Sequence, residues 1–363
     1  MRLQIRPGLV RAWRAPGRLQ IGLDPRHGVV LDGLTAGDER VLDALDAGSY
    51  DLRTLTVQGA RWGVPAVRVL GLVQALQQVG ALLPSRTRVP VLANLDEAAL
   101  QQLTGSAECL AVAYPEGDGW DAVARRLTSS VQVLGGCRTG LRIAMALAAA
   151  GVGHVTVHDE RRVSAHEAGP EDYPVQDIGR QRGRAAADLL AGRLVGPVRT
   201  QTRERSSPDV AVLLALACAD PTRYDPLLRD DVPHLTVLLR EGDAVVGPFV
   251  RPGLTCCLRC LDLYRTDRDQ GWPRVAAQLG AGPHRRVDPA LSDLAAALAV
   301  SEVLTVLDGY TQPVTSGATL EVRPGHTLPR LRHWPAHSRC GCRWLPSSTP
   351  VSARSVPPVT MEA

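Results

Sequence analysis

Apolar positions along this chain recur in different rhythms, and the changes between them mark out its parts. Between residues 18 and 83, RLQIGLD and GVVLDGL read as two short strands around a turn at Pro25 to Gly28. Thr35, followed by Gly37, Asp38 and Glu39, predicts a helix start, with Val41, Leu42 and Leu45 as its apolar stripe and Gly48 as its end. A second helix is expected over Leu52–Trp62. A third opens at Pro65, carries Val69, Val73 and Leu76 at helical spacing, and stops at Gly80. Two strands and three short helices make a winged-helix-like pattern. Residues 84–127 are less regular, with a strand expected at Val89–Leu92 and helices at Leu95–Leu103 and Asp121–Leu127.

From Ser130 the rhythm becomes strand, helix, strand. VQVL, HVTVHD, VRTQTR, VAVLLALA, HLTVLL and AVVGPFV read as strands. Helices are predicted over Arg138–Ala150 and Gly179–Leu194, near Tyr224, and over Asp288–Leu307, with short strands near Thr319 and Leu331. Such alternation predicts an α/β fold built on parallel strands, with helices on both faces. Residues 345–363, rich in Pro, Ser and Thr, read as a disordered tail. The expected organisation is 1–84 as the small α+β module, 85–129 as a connection, 130–344 as the α/β domain and 345–363 as the tail.

Composition adds two oddities. All 41 basic residues are arginine, and Asn94 is the sole asparagine. A formal net charge of +4 over 363 residues does not argue for nucleic acid, and no run of like charges changes that. The N-terminal MRLQIRPGLVRAW lacks an apolar signal core, and the apolar run Val210–Ala219 is half a membrane span, so a cytoplasmic chain is expected. In that setting eight cysteines suggest metal or redox chemistry rather than a disulfide framework.

Four of those cysteines form two close pairs, Cys257-x-x-Cys260 and Cys340-x-Cys342. Four thiolates in two pairs suit a closed, tetrahedral structural Zn²⁺ site. A redox Cys-x-x-Cys is the alternative, but it does not predict the second pair. Cys256 is expected to be a bystander, and Cys109 and Cys218 to be core residues.

From Ser130 to Cys342 the stretches GGCRTG, AGVGHVTVHD, DIGRQR, LACAD and PGLTCCLRCL resemble, in order, the ThiF/MoeB/HesA family of ubiquitin-activating-type adenylyltransferases. The resemblance implies a Rossmann-like, ThiF-type mixed sheet that binds ATP and Mg²⁺ and adenylates the C-terminal carboxylate of a small protein or peptide. It also implies a homodimer and a structural zinc. By position Gly135, Gly136 and Gly140 match the phosphate loop, with Arg138 inside it. Asp159 is similar to the ribose-binding acid, Asp220 to the acidic residue near magnesium, and Arg182 stands where the family has lysine. The alternative for either acid is that it ends a buried strand and caps the next turn or helix.

The departures all fall on ATP chemistry. Cys137 occupies the middle glycine of the loop, and SAHEAGPEDY replaces the family's S-N-L-x-R-Q. No lysine exists to take the place of the lost one, and arginine brings a wider, planar head. The order of modules is similar to the leader-peptide-binding proteins of azole-forming ribosomal peptide biosynthesis. It implies a peptide-recognition module that takes a leader peptide as an added strand, and an ATP-incompetent domain that scaffolds a YcaO-type cyclodehydratase partner. DNA binding is disfavoured because the third helix carries Arg68 as its only charge. Two readings therefore leave the sequence: a leader-binding scaffold, and an active adenylyltransferase with a remodelled site.

Overall fold

The computed structural model describes residues 2–26, 28–84, 90–114, 117–192, 207–280, 287–326 and 328–343. The N-terminal part contains β1 (Leu3–Ile5), β2 (Arg11–Ala15), β3 (Arg18–Ile21), β4 (Val29–Leu31), α1 (Ala36–Asp46), α2 (Leu52–Arg61), α3 (Ala66–Gln78) and β5 (Leu82–Pro84). The expected helix starts are real. Thr35 and Asp38 cap α1 reciprocally, Asp51 caps α2, and Pro65 precedes α3. The predicted strands are β3 and β4. The sequence reading missed β2, which pairs with β3, and the small β1–β5 ribbon. β2, RAWRA, is mostly exposed and carries two arginines, and β1 and β5 are only three residues each, too short to show a pattern. Leu19, Ile21, Val41, Leu45, Val69 and Leu76 share one buried core drawn wholly from this part.

The connection is helical: α4 (Glu97–Ala113) and α5 (Trp120–Thr128). The expected strand at Val89–Leu92 is instead a 3₁₀ turn over Pro90–Asn94 where the residues are described. The helix expected to end at Leu103 runs on to Ala113, because Leu103, Ala107 and Ala111 continue one buried stripe past Gly105. Cys109, expected in the core, is exposed on α4. Two buried arginines fasten this region. Arg6 donates from Nη1 to Ala111 O at 2.5 Å and from Nε to Gly80 O at 2.9 Å. Arg126 forms a bidentate pair with Asp308, at 2.6 and 2.7 Å.

The remaining elements are β6 (Ser130–Leu134), α6 (Arg138–Ala149), β7 (His154–His158), α7 (Arg182–Ala191), β8 (Val210–Leu216), α8 (Pro221–Arg229), β9 (His234–Leu239), β10 (Ala244–Val250), α9 (Leu258–Arg268), α10 (Trp272–Gly280), α11 (Pro289–Asp308), β11 (Ala318–Val322) and β12 (Arg330–His333). They build a seven-stranded mixed sheet of order β12-β11-β10-β9-β8-β6-β7. Strands β7, β6, β8 and β9 are parallel; β10, β11 and β12 run antiparallel. The helix predicted from Gly179 begins at Arg182, since Gly179 adopts φ +87° in a turn. The stretches VRTQTR and 345–363 lie outside the described residues. α11 is long and apolar enough to cross a membrane by length and composition; here it packs against α6 and β10, with Ala295, Ala299 and Val303 in the main core.

One core residue makes stability depend on pH. His234, at the start of β9, is fully buried, with Nδ1 2.9 Å from Val232 O and Nε2 unpartnered. Burial pulls its pKa from 6.5 to about 4. On acidification the unfolded chain therefore binds this proton before the folded one does. The stability at stake is complete above the unfolded value and declines as the pH falls toward the folded one, by about 3 kcal/mol in all. His234→Val is expected to remove that part of the decline, read as a smaller melting-temperature difference between pH 7 and pH 5.

Candidate functional site

Strand β6 continues through α6 into β7 on one side, while β8 lies on its other side, so the strand order reverses between β6 and β8. In open α/β sheets the crevice beyond such a reversal is where ligands bind. Here that crevice is a cleft of about 1130 Å³ lined by Leu134, Cys137, Asp159, Arg161, Asp220 and Arg223, among others. At its edge β8 ends in a tight turn. Ala217 takes φ +63°, and the Cys218 N–H reaches Leu216 O at 2.7 Å. Positive φ is uncommon for alanine, so the turn is locally strained. Cys218 is buried, as expected of a core cysteine.

The glycine loop is demanded by packing alone. Gly135 has φ +130°, and a Cβ on it would lie 2.8 Å from Leu214 Cβ. A Cβ on Gly140 would sit 1.9 Å from Gly135 O. Gly136 is pressed between Arg182, Tyr173 and Val157, and Tyr173 Oη donates to its carbonyl at 2.8 Å. Cys137 is the N-cap of α6 but makes no side-chain cap, and burial pushes its thiol pKa up. It is therefore a poor thiolate nucleophile.

Asp159 lies at the mouth of this loop, where the resemblance put a ribose-binding acid, and its acceptor capacity is spent. It takes N–H groups from Gly136 at 2.8 Å and from Arg161 at 3.0 Å, both arms of the Arg161 guanidinium at 2.7 Å, and Arg182 Nη1 at 3.2 Å. A carboxylate offers about four lone-pair positions. Burial by itself raises its pKa, but Arg161 and the backbone donors outweigh that and hold it well below the usual carboxylate range.

Arg182 does not face the cleft as a free cation. Its side chain is 3% exposed and is gripped by Glu167, at 2.6 and 3.1 Å, as well as by Asp159. Glu167 in turn closes a capping box with Ser164. Glu167 was missed in the sequence, although Ser164-x-x-Glu167 carries the capping-box signature. Arg138 is likewise held away, with Nη2 on His166 O at 2.7 Å and Nε 2.9 Å from Asp172. Asp220 lines the cleft and caps α8, accepting from Thr222 N at 2.9 Å, as its structural alternative predicts.

Arg223 is the cleft residue that no motif announced. It donates to Leu134 O at 2.7 Å and Leu214 O at 3.0 Å, the C-terminal ends of β6 and β8. Burial, followed by the charge of Arg161, lowers its pKa. Its guanidinium thus bridges the C-terminal ends of β6 and β8 across the mouth of the crevice.

The two cysteine pairs, 80 residues apart in sequence, converge. The sulfurs of Cys257, Cys260, Cys340 and Cys342 all lie within 4.8 Å of one another. Cys257 Sγ is 3.5 Å from Cys340 Sγ, Cys260 Sγ is 3.4 Å from Cys342 Sγ, and Cys257 and Cys260 are 3.9 Å apart. Disulfide sulfurs would be about 2.05 Å apart. A tetrahedron of zinc–sulfur bonds of about 2.3 Å has edges of about 3.8 Å, so the four residues fit the ion. The His337 N–H points at Cys260 Sγ from 3.3 Å, a donor suited to a thiolate. Cys256, though buried beside them, is not one of the four.

No family model and no curated protein matches the sequence. Solved structures do match. E. coli MccB with ATP aligns over 94% of this chain and 99% of its own at 13% identity, with a TM-score of 0.64. The microcin C7 biosynthetic enzyme MccB in complex with N-formylated MccA aligns over 94% and 100% at 14% identity, with a TM-score of 0.65. PaaA aligns over 90% and 98% at 15% identity, with a TM-score of 0.63. The seven-stranded mixed sheet and its flanking helices are thus the ThiF-type fold of MccB.

Proposed function

We propose that the chain is a leader-peptide-binding scaffold. In this reading its N-terminal part holds the leader of a ribosomally made peptide, and its ThiF-type domain positions a separate YcaO-type enzyme instead of adenylating anything itself. The observation that carries this is the saturation of Asp159 and Arg182. The acid and the base that the fold would offer to a nucleotide are bound to each other, to Arg161 and to Glu167. Freeing them for ATP would mean breaking a buried ion-pair network.

The peptide side rests on a groove of about 420 Å³ between β4, the open edge of the three-stranded sheet, and α3. An edge strand presents unpaired backbone groups that an extended peptide can pair with, and pockets beside it select side chains. MccB is known in complex with the peptide MccA, which is consistent with a peptide partner here.

The second reading, an active adenylyltransferase, is favoured by the open cleft of about 1130 Å³ and by the ATP complex of MccB. Pyrophosphate exchange separates the two. Under the scaffold reading no ATP–pyrophosphate exchange arises with any peptide, and Asp220→Ala costs only its helix cap, about 1 kcal/mol in thermal unfolding. Robust exchange that Asp220→Ala abolishes would establish the active enzyme instead.

A further inference from the structure

The end of β7 presents hydrogen-bond donors where a nucleotide ribose needs an acceptor. In sheets with a glycine loop, an acid about 20 residues beyond the loop accepts from a ribose hydroxyl, and an arginine near it accommodates a phosphate on that hydroxyl. Asp159 stands 23 residues beyond Gly136. Its oxygens are filled by Gly136, Arg161 and Arg182. A sugar diol arriving here meets no carboxylate able to accept from it.

It meets guanidinium groups instead. Arg161 lines the cleft beside Asp159, with its side chain 34% exposed. Arg184 lines the same cleft, is exposed, and makes no hydrogen bond or ion pair among the described residues. Its place is set by backbone hydrogen bonds. The Gly183 N–H donates to Asp159 O at 3.0 Å, and the Arg182 N–H to Arg161 O at 2.8 Å. These tie the first turn of α7 to the end of β7. A Cβ on Gly183 would lie 3.0 Å from Val157 O, so glycine permits that close seating. Arg161, Arg182, Asp159 and Glu167 balance one another in charge, which leaves Arg184 as the uncompensated cation of this strand end. Glu160, exposed in the same lining, opposes it and supplies a test of sign.

We propose that the cleft binds a nucleotide whose ribose carries a phosphate monoester on its 2′ or 3′ hydroxyl, with Arg184 and Arg161 as the donors to that phosphate. A phosphate accepts where a hydroxyl would have to donate, and the planar guanidinium fork matches its oxygens. The buried network stays intact, because the ligand asks nothing of Asp159. A cleft of about 1130 Å³ has room for such a ligand. This goes beyond the scaffold reading: binding at this end requires no adenylation, and pyrophosphate exchange does not report on it.

Calorimetric titration of the full chain with 5′-AMP, adenosine 2′,5′-bisphosphate and adenosine 3′,5′-bisphosphate tests it. At least one bisphosphate should bind roughly tenfold or more tighter than 5′-AMP, and the tighter of the two assigns the hydroxyl. Arg184→Ala, at an exposed position, should cut that preference by about tenfold while leaving 5′-AMP within about twofold. Arg162→Ala removes the same charge from outside the cleft lining and should leave the preference intact. Glu160→Gln should strengthen the bisphosphate a few-fold by removing a like charge. The proposal is overturned if nothing binds, if neither bisphosphate outbinds 5′-AMP, or if Arg184→Ala leaves the preference unchanged. Equal losses in Arg184→Ala and Arg162→Ala would overturn it too, since they would show diffuse attraction by the surface in place of a site.

Discussion

Exchanging Cys257 for serine is expected to release about one zinc ion per chain and to lower the melting temperature by more than about 10 °C. The four sulfurs come from two places, the N-terminal turn of α9 and the segment after β12. Besides the metal, that segment is held by Trp334 Nε1 on Thr319 Oγ1 at 3.0 Å, Trp334 and His337 against the Tyr264 ring, His337 and Arg339 on Asp267, and Arg343 on Leu254 O at 3.1 Å. Structural zinc in finger peptides is worth about 10–16 kcal/mol at neutral pH. In a domain of this size each kcal/mol moves the midpoint by about 2–4 °C, so even half of that value gives a large shift. Elemental analysis and calorimetry, with and without a strong chelator, measure both effects. Cys256→Ser serves as the control and should keep its metal. A metal-free chain that melts where the untreated protein does would rule the zinc assignment out.

Arg182→Ala should produce the next largest loss, about 3–5 kcal/mol, because it takes the paired guanidinium from the buried Glu167 and one donor from Asp159, which keeps Arg161. Glu167 and Asp159 are each 3% exposed at the side chain and share this one guanidinium. Arg182→Lys keeps the charge but lacks the planar fork that reaches both acids, so an intermediate loss is expected. The pKa of Asp159 is depressed from 3.8 in the fold, against the pull of burial and chiefly by Arg161. Its contribution is therefore present above that ordinary value and declines as the pH falls below it, in the native and Arg182→Ala chains alike, so the loss measured at pH 7 should persist toward acid. Thermal melts at pH 7 and pH 3 record this. A melting temperature unchanged at pH 7 would mean that Arg182 is not the structural cross-link described and would reopen a ligand role.

Much of the fold was legible because its signals are local. Thr35 and Asp51 announce helix starts through their own side-chain hydrogen bonds, and Val210–Leu216 is apolar throughout because the strand is covered on both faces. The zinc ligands were readable for the same reason, since each pair is set by short spacing. Elements without periodicity were not readable. β1 and β5 exist only because they pair with each other across 80 residues of chain, and the extension of α4 to Ala113 only because its stripe packs on a neighbour.

The site divides along the same line. Residue types alone showed that, set beside the adenylyltransferase motifs it resembles, this chain lacks the lysine and the asparagine and has cysteine for the middle loop glycine, while the first and last loop glycines and both acids are present. They could not say what had become of those acids. That answer depended on Arg161, Glu167 and Arg182 meeting at Asp159, on Asp220 turning to cap α8, and on Arg223 reaching the ends of β6 and β8. Hydrogen bonds and ion pairs act over about 3 Å, whereas these partners are up to 89 residues apart in sequence, so only the folded chain brings them together.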